Sequence, residues 1–296
     1  MMAIGTQFYP AQGDAAGRQA RARAALLALH GVVPVNLQFV DEHLELEGFR
    51  TLRTLRRDSR TVTGAQGTRK PIVSEMFDAL AGVASASGCR YFAYINADIE
   101  VTPAALEPIL SGEYDACAVS RTDVDPETGA AVGVQIFGLD MFAIDVRWWT
   151  RERRRFRPYI AGEGCWDNVY AALVCAHGRG AIINEGPGIF HQAHSVPVTD
   201  SPFAEHNGFL ATLDAPYFSR WVDYATQLDR MRSAGVPVDG PQLVRTTMGD
   251  ARLSARDAAV HAARQLRARF RYARRRMAHR REAAAASPPQ SPRRSG

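Results

Sequence analysis

The sequence predicts an α/β protein built on one mostly parallel sheet flanked by helices. Strand-like and helix-like segments alternate through its first half, which is typical of doubly wound sheets. The segment CRYFAYINADI is a continuous apolar run, as expected of a strand buried on both faces. With 296 residues, of which 46% are hydrophobic, the chain is long enough to enclose a large core.

The first two strands and the helix between them are readable from local patterns. IGTQFY predicts the first strand, and Asp14 can cap a helix that continues to Gly31. VPVNLQFV predicts the second strand, which ends at Asp41 and Glu42. These acids therefore belong to the carboxyl end of a strand.

The later elements follow the same alternation. After an Arg-rich connection and the loop TVTGAQGTRKP, helical spacing is found at Ile72, Met76, Leu80 and Val83. CRYFAYINADI supplies the next strand, and DACAVS is strand-like. A helix from about Asp167 to His177 is expected to stop at Gly178, before a strand AIIN. Residues 201 to 251 have helical patterns that are candidates for closing over an acceptor site.

Charge divides the chain into an acidic body and a basic end. The net charge is +5, but residues 252–296 carry 13 Arg against two acids, which leaves −6 for residues 1–251. The expected division is a body at 1–250, a basic amphipathic helix at 251–282 and a disordered tail at 283–296. Apolar residues recur every three or four positions in that helix: Val260, Ala263, Leu266, Phe270, Ala273 and Met277.

Cysteine usage and the amino terminus indicate a cytoplasmic protein. No CxxC pair occurs among Cys89, Cys117, Cys165 and Cys175, so reduced thiols are expected rather than disulfides or a zinc site. The amino terminus lacks the pattern of a signal peptide, and AALLALHGVVPV is too short to span a bilayer.

Polar residues follow the central strand where a ligand would bind. Asn96, Asp98 and Glu100 come directly after its apolar run, and ligands of open α/β sheets bind beyond the carboxyl ends of strands. Their oxygens are ligands for Mg²⁺ or Mn²⁺ accompanied by phosphates. The alternative is that Asn and Asp simply begin a turn, with Glu100 capping it before Pro103.

A second informative region runs from Gly162 to Ser195. It contains GEGCWDN ahead of the predicted helix, and it places His191 and His194 on a loop after the strand AIIN. Neither histidine belongs to an HExxH helix, so a metalloprotease is a poor interpretation. An ordinary surface or core role for both stays open.

Taken together, these segments resemble the GT-A type of nucleotide-sugar-dependent glycosyltransferases. The resemblance rests on the order of NADI, GLDMFAIDVRWW, GEGCWDN and HQAHS, and covers about residues 3 to 200. INADI, WDN and HQxH also resemble a group of bacterial proteins assigned to that fold. The resemblance implies a GT-A-like, Rossmann-like fold and a hexosyltransferase-like activity assisted by Mn²⁺ or Mg²⁺.

The resemblance also implies a metal site. Asp98 matches the last acid of the family's DxD motif, which holds a cation bridging the two phosphates of the donor. Asn96 stands where the first acid usually lies, so it is expected to bind as a neutral oxygen, to contact the ribose, or to leave the metal weakly held. His191 or His194 matches the C-terminal histidine of the metal or diphosphate site.

Roles for other residues follow from the same resemblance. Asp167 matches the acid that deprotonates the acceptor in inverting members, and Glu163, also just ahead of the helix, is the competing candidate. Thr6 and Asp41 match positions that contact the nucleoside, with backbone hydrogen bonding or a helix cap or turn as their ordinary explanations.

The loop GAQGTRKP, which precedes a predicted helix, is a further candidate for contact with a ligand. Lys70 is the single lysine of the chain, and it or Arg69 is expected to contact a phosphate, although GxxG is far short of a P-loop. For Arg121 a position near the same crevice is one interpretation, and a solvated loop residue is the preferred one. At most one of Trp148, Trp149 and Trp166 is expected to stack on a sugar.

The resulting prediction is a glycosyltransferase that uses a nucleotide-sugar donor and a glycan or lipid-linked acceptor. The alternatives are a non-catalytic nucleotide-sugar-binding protein of the same fold and a sugar-phosphate nucleotidyltransferase, although IGTQFYPAQG lacks the glycine-rich loop of the latter. The basic helix is expected to contact the inner face of an anionic membrane. The alternatives are packing against a partner protein and unselective binding to nucleic acid. No specific nucleic-acid partner is expected.

Overall fold

The computed structural model describes residues 1–112, 114–184, 188–194, 201–249 and 255–286. Its strands are β1 (Met2–Thr6), β2 (Val32–Phe39), β3 (Arg50–Leu55), β4 (Tyr91–Ile95), β5 (Ile99–Val101), β6 (Ala116–Val124), β7 (Ala131–Asp145), β8 (Gly180–Ile183) and β9 (Ile189–Gln192). Its helices are α1 (Gly13–Leu27), α2 (Ser59–Thr63), α3 (Val73–Ala86), α4 (Pro103–Ser111), α5 (Val146–Glu152), α6 (Trp166–His177), α7 (Ala204–Leu213), α8 (Ala215–Ser233), α9 (Gly240–Met248) and α10 (Ala255–Ala286).

The strands form one sheet in the order β3-β2-β1-β4-β7-β6-β9-β5, with β8 also paired to β6. Strands β3, β2, β1 and β4 run parallel, whereas β7 is antiparallel to both of its neighbours. Five of the eight pairings between described strands are parallel. The predicted α/β class, a mostly parallel sheet flanked by helices with a C-terminal helix, is therefore confirmed.

Both faces of the sheet are covered because the central strands are apolar on both sides. In β4, Phe92 and Tyr94 join the cluster that includes α3, α6 and α8, whereas Tyr91, Ala93 and Ile95 join the cluster that includes α1 and α4. This alternation follows from the two-residue period of a strand. Helices cover both faces of the sheet, so the carboxyl ends of β1, β2 and β4 lie along one uncovered edge. Thr6, Asp41 and Asn96 lie at these strand ends.

The structure corrects the start and end predicted for the first helix. Asp14 does not cap α1, because the N-cap position is Gln12 and makes no side-chain capping bond. The helix ends at Leu27, and Gly31, with a φ of 71°, lies beyond that end.

Two other local predictions are also corrected. The Arg-rich connection contains the edge strand β3, whose side chains are largely exposed and so give no buried apolar pattern. His191 lies in β9 and not on a loop, because it pairs with Ile99 and Asp123 of the neighbouring strands.

The described residues 201–249 are largely helical, as predicted for residues 201–251. Helix α10 packs on α7, where the Tyr272 and Phe209 rings stack with centroids 4.3 Å apart. It extends through residue 286, four residues past the expected end, and the remaining tail at 287–296 lies outside the described residues. No described helix is long and apolar enough to cross a bilayer.

Candidate active site

Three predicted metal ligands meet beyond the end of β4. Asp98 lies in the turn between β4 and β5, His191 in β9, and His194 just after β9. Asp98 Oδ2 is 3.5 Å from His191 Nε2 and 3.9 Å from His194 Nε2. One ligand atom from each of the three lies within 4.8 Å of the others, so all three can reach a single cation.

A carboxylate behind His191 orients its ring. His191 Nδ1 lies 2.9 Å from Asp123 Oδ1, and Arg121 Nε and Gln135 Nε2 donate to the same carboxylate at 2.9 and 2.6 Å. An Asp123 held as an acceptor keeps a proton on Nδ1, so Nε2, which faces Asp98, is the ring nitrogen left for a cation. Burial lowers the pKa of His191, but the carboxylates of Asp98 and Asp123 outweigh it and leave that pKa above its usual value.

Asn96 connects this cluster to the sheet. Its side-chain oxygen accepts from the Tyr94 hydroxyl at 2.9 Å, and its side-chain nitrogen donates to Asp140. Asp140 is 4% exposed and also accepts from Arg121 Nη1 at 3.0 Å. Burial nevertheless raises the pKa of Asp140, against the effect of Arg121.

Asp123 and Asp140 are site residues that the sequence analysis does not identify. The preferred interpretation of Arg121 as a solvated loop residue is wrong, because Arg121 lies in β6 and pairs with both acids. Two signals were available: Arg121 and Asp123 are two residues apart and so share a face of the strand. Asp140 is a single acid inside the apolar run GLDMFAI. The antiparallel pairing of β6 and β7 brings these two signals together.

Asp167 lies in the first turn of α6, at a strained entry to that helix. Cys165, at the N-cap of α6, has a φ of 76°, which is unfavourable for a residue with a Cβ. Leu139 N donates to Asp167 Oδ2 at 3.3 Å. Burial raises the pKa of Asp167 to about 7, and the charge of Asp140 adds to the effect. A carboxylate with that pKa can accept a proton near neutral pH.

Glu163, the competing catalytic candidate, is held by an ion pair. Its Oε1 lies 2.7 Å from Lys70 Nζ and also accepts from the Ser201 hydroxyl. The Glu163 side chain is only 4% exposed, whereas that of Lys70 is 32% exposed. Lys70, predicted to contact a phosphate, and Glu163, predicted as a possible base, thus form an ion pair with each other.

The predicted nucleoside contacts lie at the ends of β1 and β2. Asp41 is exposed and accepts from Arg69 Nη1 at 2.8 and 2.9 Å, and this hydrogen bond lowers the pKa of Asp41. Arg69 also pairs with Glu42 at 3.0 Å and lies over the Phe39 ring. Thr6 is buried at the end of β1.

The remaining candidates have structural roles. Trp148, Trp149 and Trp166 are at most 4% exposed and belong to the aromatic core, so none of them offers a face to a sugar. Glu100 lies in β5 and pairs with Arg21 of α1 at 3.3 Å. The four cysteines are free thiols, of which Cys89 and Cys117 are buried and Cys165 and Cys175 are half-buried.

Comparison with known proteins gives similarity in structure only. No protein-family model matches the chain, and no curated protein matches it in sequence. A fragment of TarS from S. aureus has a TM-score of 0.46 at 7% identity, covering 98% of this chain and 92% of that one. The galactosyltransferase LgtC, solved with donor and acceptor sugar analogues, has a TM-score of 0.31 at 12% identity, covering 71% of this chain and 94% of that one.

An active-site mutant of LgtC gives a similar result, with a TM-score of 0.32 and 12% identity over 71% of this chain and 94% of that one. Both LgtC structures are of a galactosyltransferase, and galactosyltransferases belong to the class that the sequence motifs resemble. Similarity at these values assigns neither a family nor an activity to the chain.

Proposed function

We propose that this protein is a glycosyltransferase that moves a sugar from a nucleoside-diphosphate sugar to a hydroxyl group of a glycan or lipid-linked acceptor. The observation that supports it best is the cluster of Asp98, His191 and His194 beyond the end of β4. A cation site at the carboxyl edge of a mostly parallel sheet is where a diphosphate ligand is expected.

The donor set of this cluster fits a divalent cation, Mn²⁺ in preference to Mg²⁺. Mg²⁺ takes oxygen ligands almost exclusively, whereas two imidazole nitrogens and one carboxylate suit a transition metal. Asp98, His191 and His194 would hold it, and the Asn96 amide would contact the cation or the donor ribose. When bound, the cation would neutralise charge on the leaving diphosphate.

The remaining donor contacts are assigned to the ends of β1 and β2. Thr6 and Asp41 would contact the nucleoside, Asp41 with its position fixed by Arg69. Lys70, a third exposed beside its pair with Glu163, retains N–H groups for the diphosphate.

Asp167 would act as the base in the transfer step. Its carboxylate takes the proton of the acceptor hydroxyl, whose oxygen then bonds to the anomeric carbon. The bond from that carbon to the diphosphate breaks, and the nucleoside diphosphate leaves with the electron pair. The raised pKa of Asp167 supports this role, whereas the Glu163 carboxylate is already bound by Lys70 and Ser201.

The first test is thermal unfolding of the purified protein against UDP, GDP, TDP and CMP, each with and without Mn²⁺. A nucleotide at about 100 times its Kd should raise the Tm by about 5–10 °C. Asp98→Ala should abolish the Mn²⁺-dependent part of the shift. The matched control is Asp223→Ala, since Asp223 is an exposed acid on α8 far along the chain from this cluster.

Turnover then separates the classes of function. Release of nucleoside diphosphate from a donor sugar with Mn²⁺, lost in Asp167→Asn, is the expected result. Nucleotide binding without any turnover would favour the non-catalytic binding protein, and release of pyrophosphate from a nucleoside triphosphate and a sugar phosphate would favour the nucleotidyltransferase. A protein that neither binds nucleotide nor responds to Mn²⁺ contradicts the proposal.

A further inference from the structure

Helix α10 presents an exposed apolar stripe. Leu266, Phe270 and Met277 are 71, 68 and 54% exposed. Their spacings of four and seven residues place them on one side of the helix. We define the outer stripe as these three residues.

The opposite side of α10 is the one that packs on the body. Gln265 Nε2 donates to the Leu213 carbonyl at 2.8 Å, Ala268 is buried, and Tyr272 stacks on Phe209. At 100° per residue these positions lie roughly opposite the outer stripe. The apolar side of this helix is therefore not the side used for docking, unlike the usual surface helix.

The charge around the outer stripe is all of one sign. Arg267 and Arg274 flank it on one side and Arg269 on the other, and all three are exposed. No acidic residue occurs in the sequence from 258 to 281. An apolar side bordered only by arginines is typical of a helix that lies in the interface of an anionic bilayer.

Other occupants fit these observations less well. A second copy of the helix would bring two sets of arginines together without compensating acids. A nucleic acid would pair with the arginines but would leave Leu266 and Phe270 in water. Anionic lipid satisfies both, because acyl chains cover the apolar side chains while the guanidinium groups reach the headgroups.

We propose that the outer stripe and its flanking arginines bind the surface of an anionic membrane. The opposite side of α10 is fixed to α7, and Asn207 of α7 hydrogen-bonds to Ile160 and Gly164 beside Asp167. Through α7, helix α10 is thus connected to residues 160–164, which lead into α6 and Asp167. Provided that the proposed glycosyl transfer holds, this selects a lipid-linked acceptor at the membrane surface over a soluble glycan.

The test is co-sedimentation of the full chain with vesicles, in the absence of nucleotide. Vesicles of phosphatidylcholine with about one-third phosphatidylglycerol should bind the protein, and phosphatidylcholine alone should bind it at least about tenfold less. Leu266→Gln/Phe270→Gln/Met277→Gln and Arg267→Gln/Arg274→Gln should each weaken binding by about tenfold or more. The matched control is Leu110→Gln/Val222→Gln/Val236→Gln, which removes exposed apolar residues elsewhere.

Each outcome decides for or against the proposal. It is overturned by failure to bind the anionic vesicles, by unchanged binding of the stripe variant, or by an equal loss in the control. A stripe-dependent dimer in light scattering without vesicle binding would assign the face to a second copy. Binding of RNA or DNA with no vesicle binding would assign it to nucleic acid. The vesicle experiment contains no nucleotide sugar. Its failure would therefore not affect the nucleotide-binding and turnover tests of glycosyl transfer.

Discussion

His191 Nδ1 lies 2.9 Å from Asp123 Oδ1, while Nε2 of the same ring faces Asp98 at 3.5 Å. This geometry divides the two ring nitrogens between a buried carboxylate and the candidate cation. Arg121 and Gln135 keep Asp123 in place as an acceptor. Asp123, which is not one of the three candidate ligands, thus sets which ring nitrogen of His191 carries the proton.

Asp123→Asn should therefore weaken Mn²⁺ binding, because an amide can turn its N–H₂ toward Nδ1 and favour the wrong tautomer. The expected loss of affinity is about 10–100-fold. Isothermal titration of Mn²⁺ into the protein measures it, with Asp223→Asn as the control. Unchanged affinity in a variant that unfolds at the wild-type temperature would refute the positioning role of Asp123.

The raised pKa of Asp167 predicts the pH dependence of the proposed reaction. A base with a pKa of about 7 is ionised only above that pH, so kcat/KM should rise as pH increases through about 7 and then level off. Asp167→Asn should lower transfer by about 10²–10⁴-fold while the nucleotide-dependent Tm shift is retained. A variant that loses nucleotide binding as well would indicate a donor-binding role instead.

The same pKa has a consequence for stability. Folded Asp167 retains its proton up to about pH 7, whereas the unfolded residue loses it near its ordinary pKa of about 4. Stability is therefore lost as pH rises between these two values and is constant above the folded pKa. Asp167→Asn should be stabilised relative to wild type at pH 8 but not at pH 4, as measured by urea unfolding. An equal difference at both pH values would contradict the raised pKa.

Much of the sheet could be predicted from the sequence, and so could the three candidate metal ligands that the structure brings together. An apolar run that ends in Asn96 and Asp98 indicates a buried strand and its carboxyl end at once. The edge strand β3 gave no such pattern, because four of its residues are partly or fully exposed arginine or threonine. Arg121 and Asp140 are joined only by the pairing of β6 with β7, which local patterns do not specify. The unpredicted part of the site therefore depends on contacts between residues far apart in the chain.

Lys70 and Glu163 are 93 positions apart in the chain, so no local sequence pattern predicts their ion pair. Lys70→Met would leave the Glu163 carboxylate buried without its cation, and should destabilise the fold by about 1–3 kcal/mol. Lys70→Met/Glu163→Gln should recover part of that loss, since the amide needs no counter-charge. Urea unfolding of both single variants and the double variant measures the coupling between them.

The exposed pair of Arg57 and Glu75 is the control for this experiment. Arg57→Met should cost less than about 1 kcal/mol, because water screens that pair. Additive costs for Lys70→Met and Glu163→Gln would show that the 2.7 Å contact contributes no coupling. In the transfer assay, Glu163→Gln should retain far more activity than Asp167→Asn, and the reverse order would assign the base to Glu163.

A chain ending at residue 250 should fold without α10. No residue of the three hydrophobic clusters in the described structure comes from α10, and the helix meets the body mainly through α7. Loss of the Tyr272 stack on Phe209 should cost about 1 kcal/mol, and loss of the Gln265 hydrogen bond to Leu213 about as much, so the Tm should fall by several degrees. A chain ending at residue 286 is the control.

The shortened chain should keep the Mn²⁺-dependent response to nucleotide and lose vesicle binding, because the predicted site and the outer stripe lie on separate parts of the molecule. Non-cooperative unfolding of the 1–250 chain, with the 1–286 chain unaffected, would show instead that α10 belongs to the folding unit of the body.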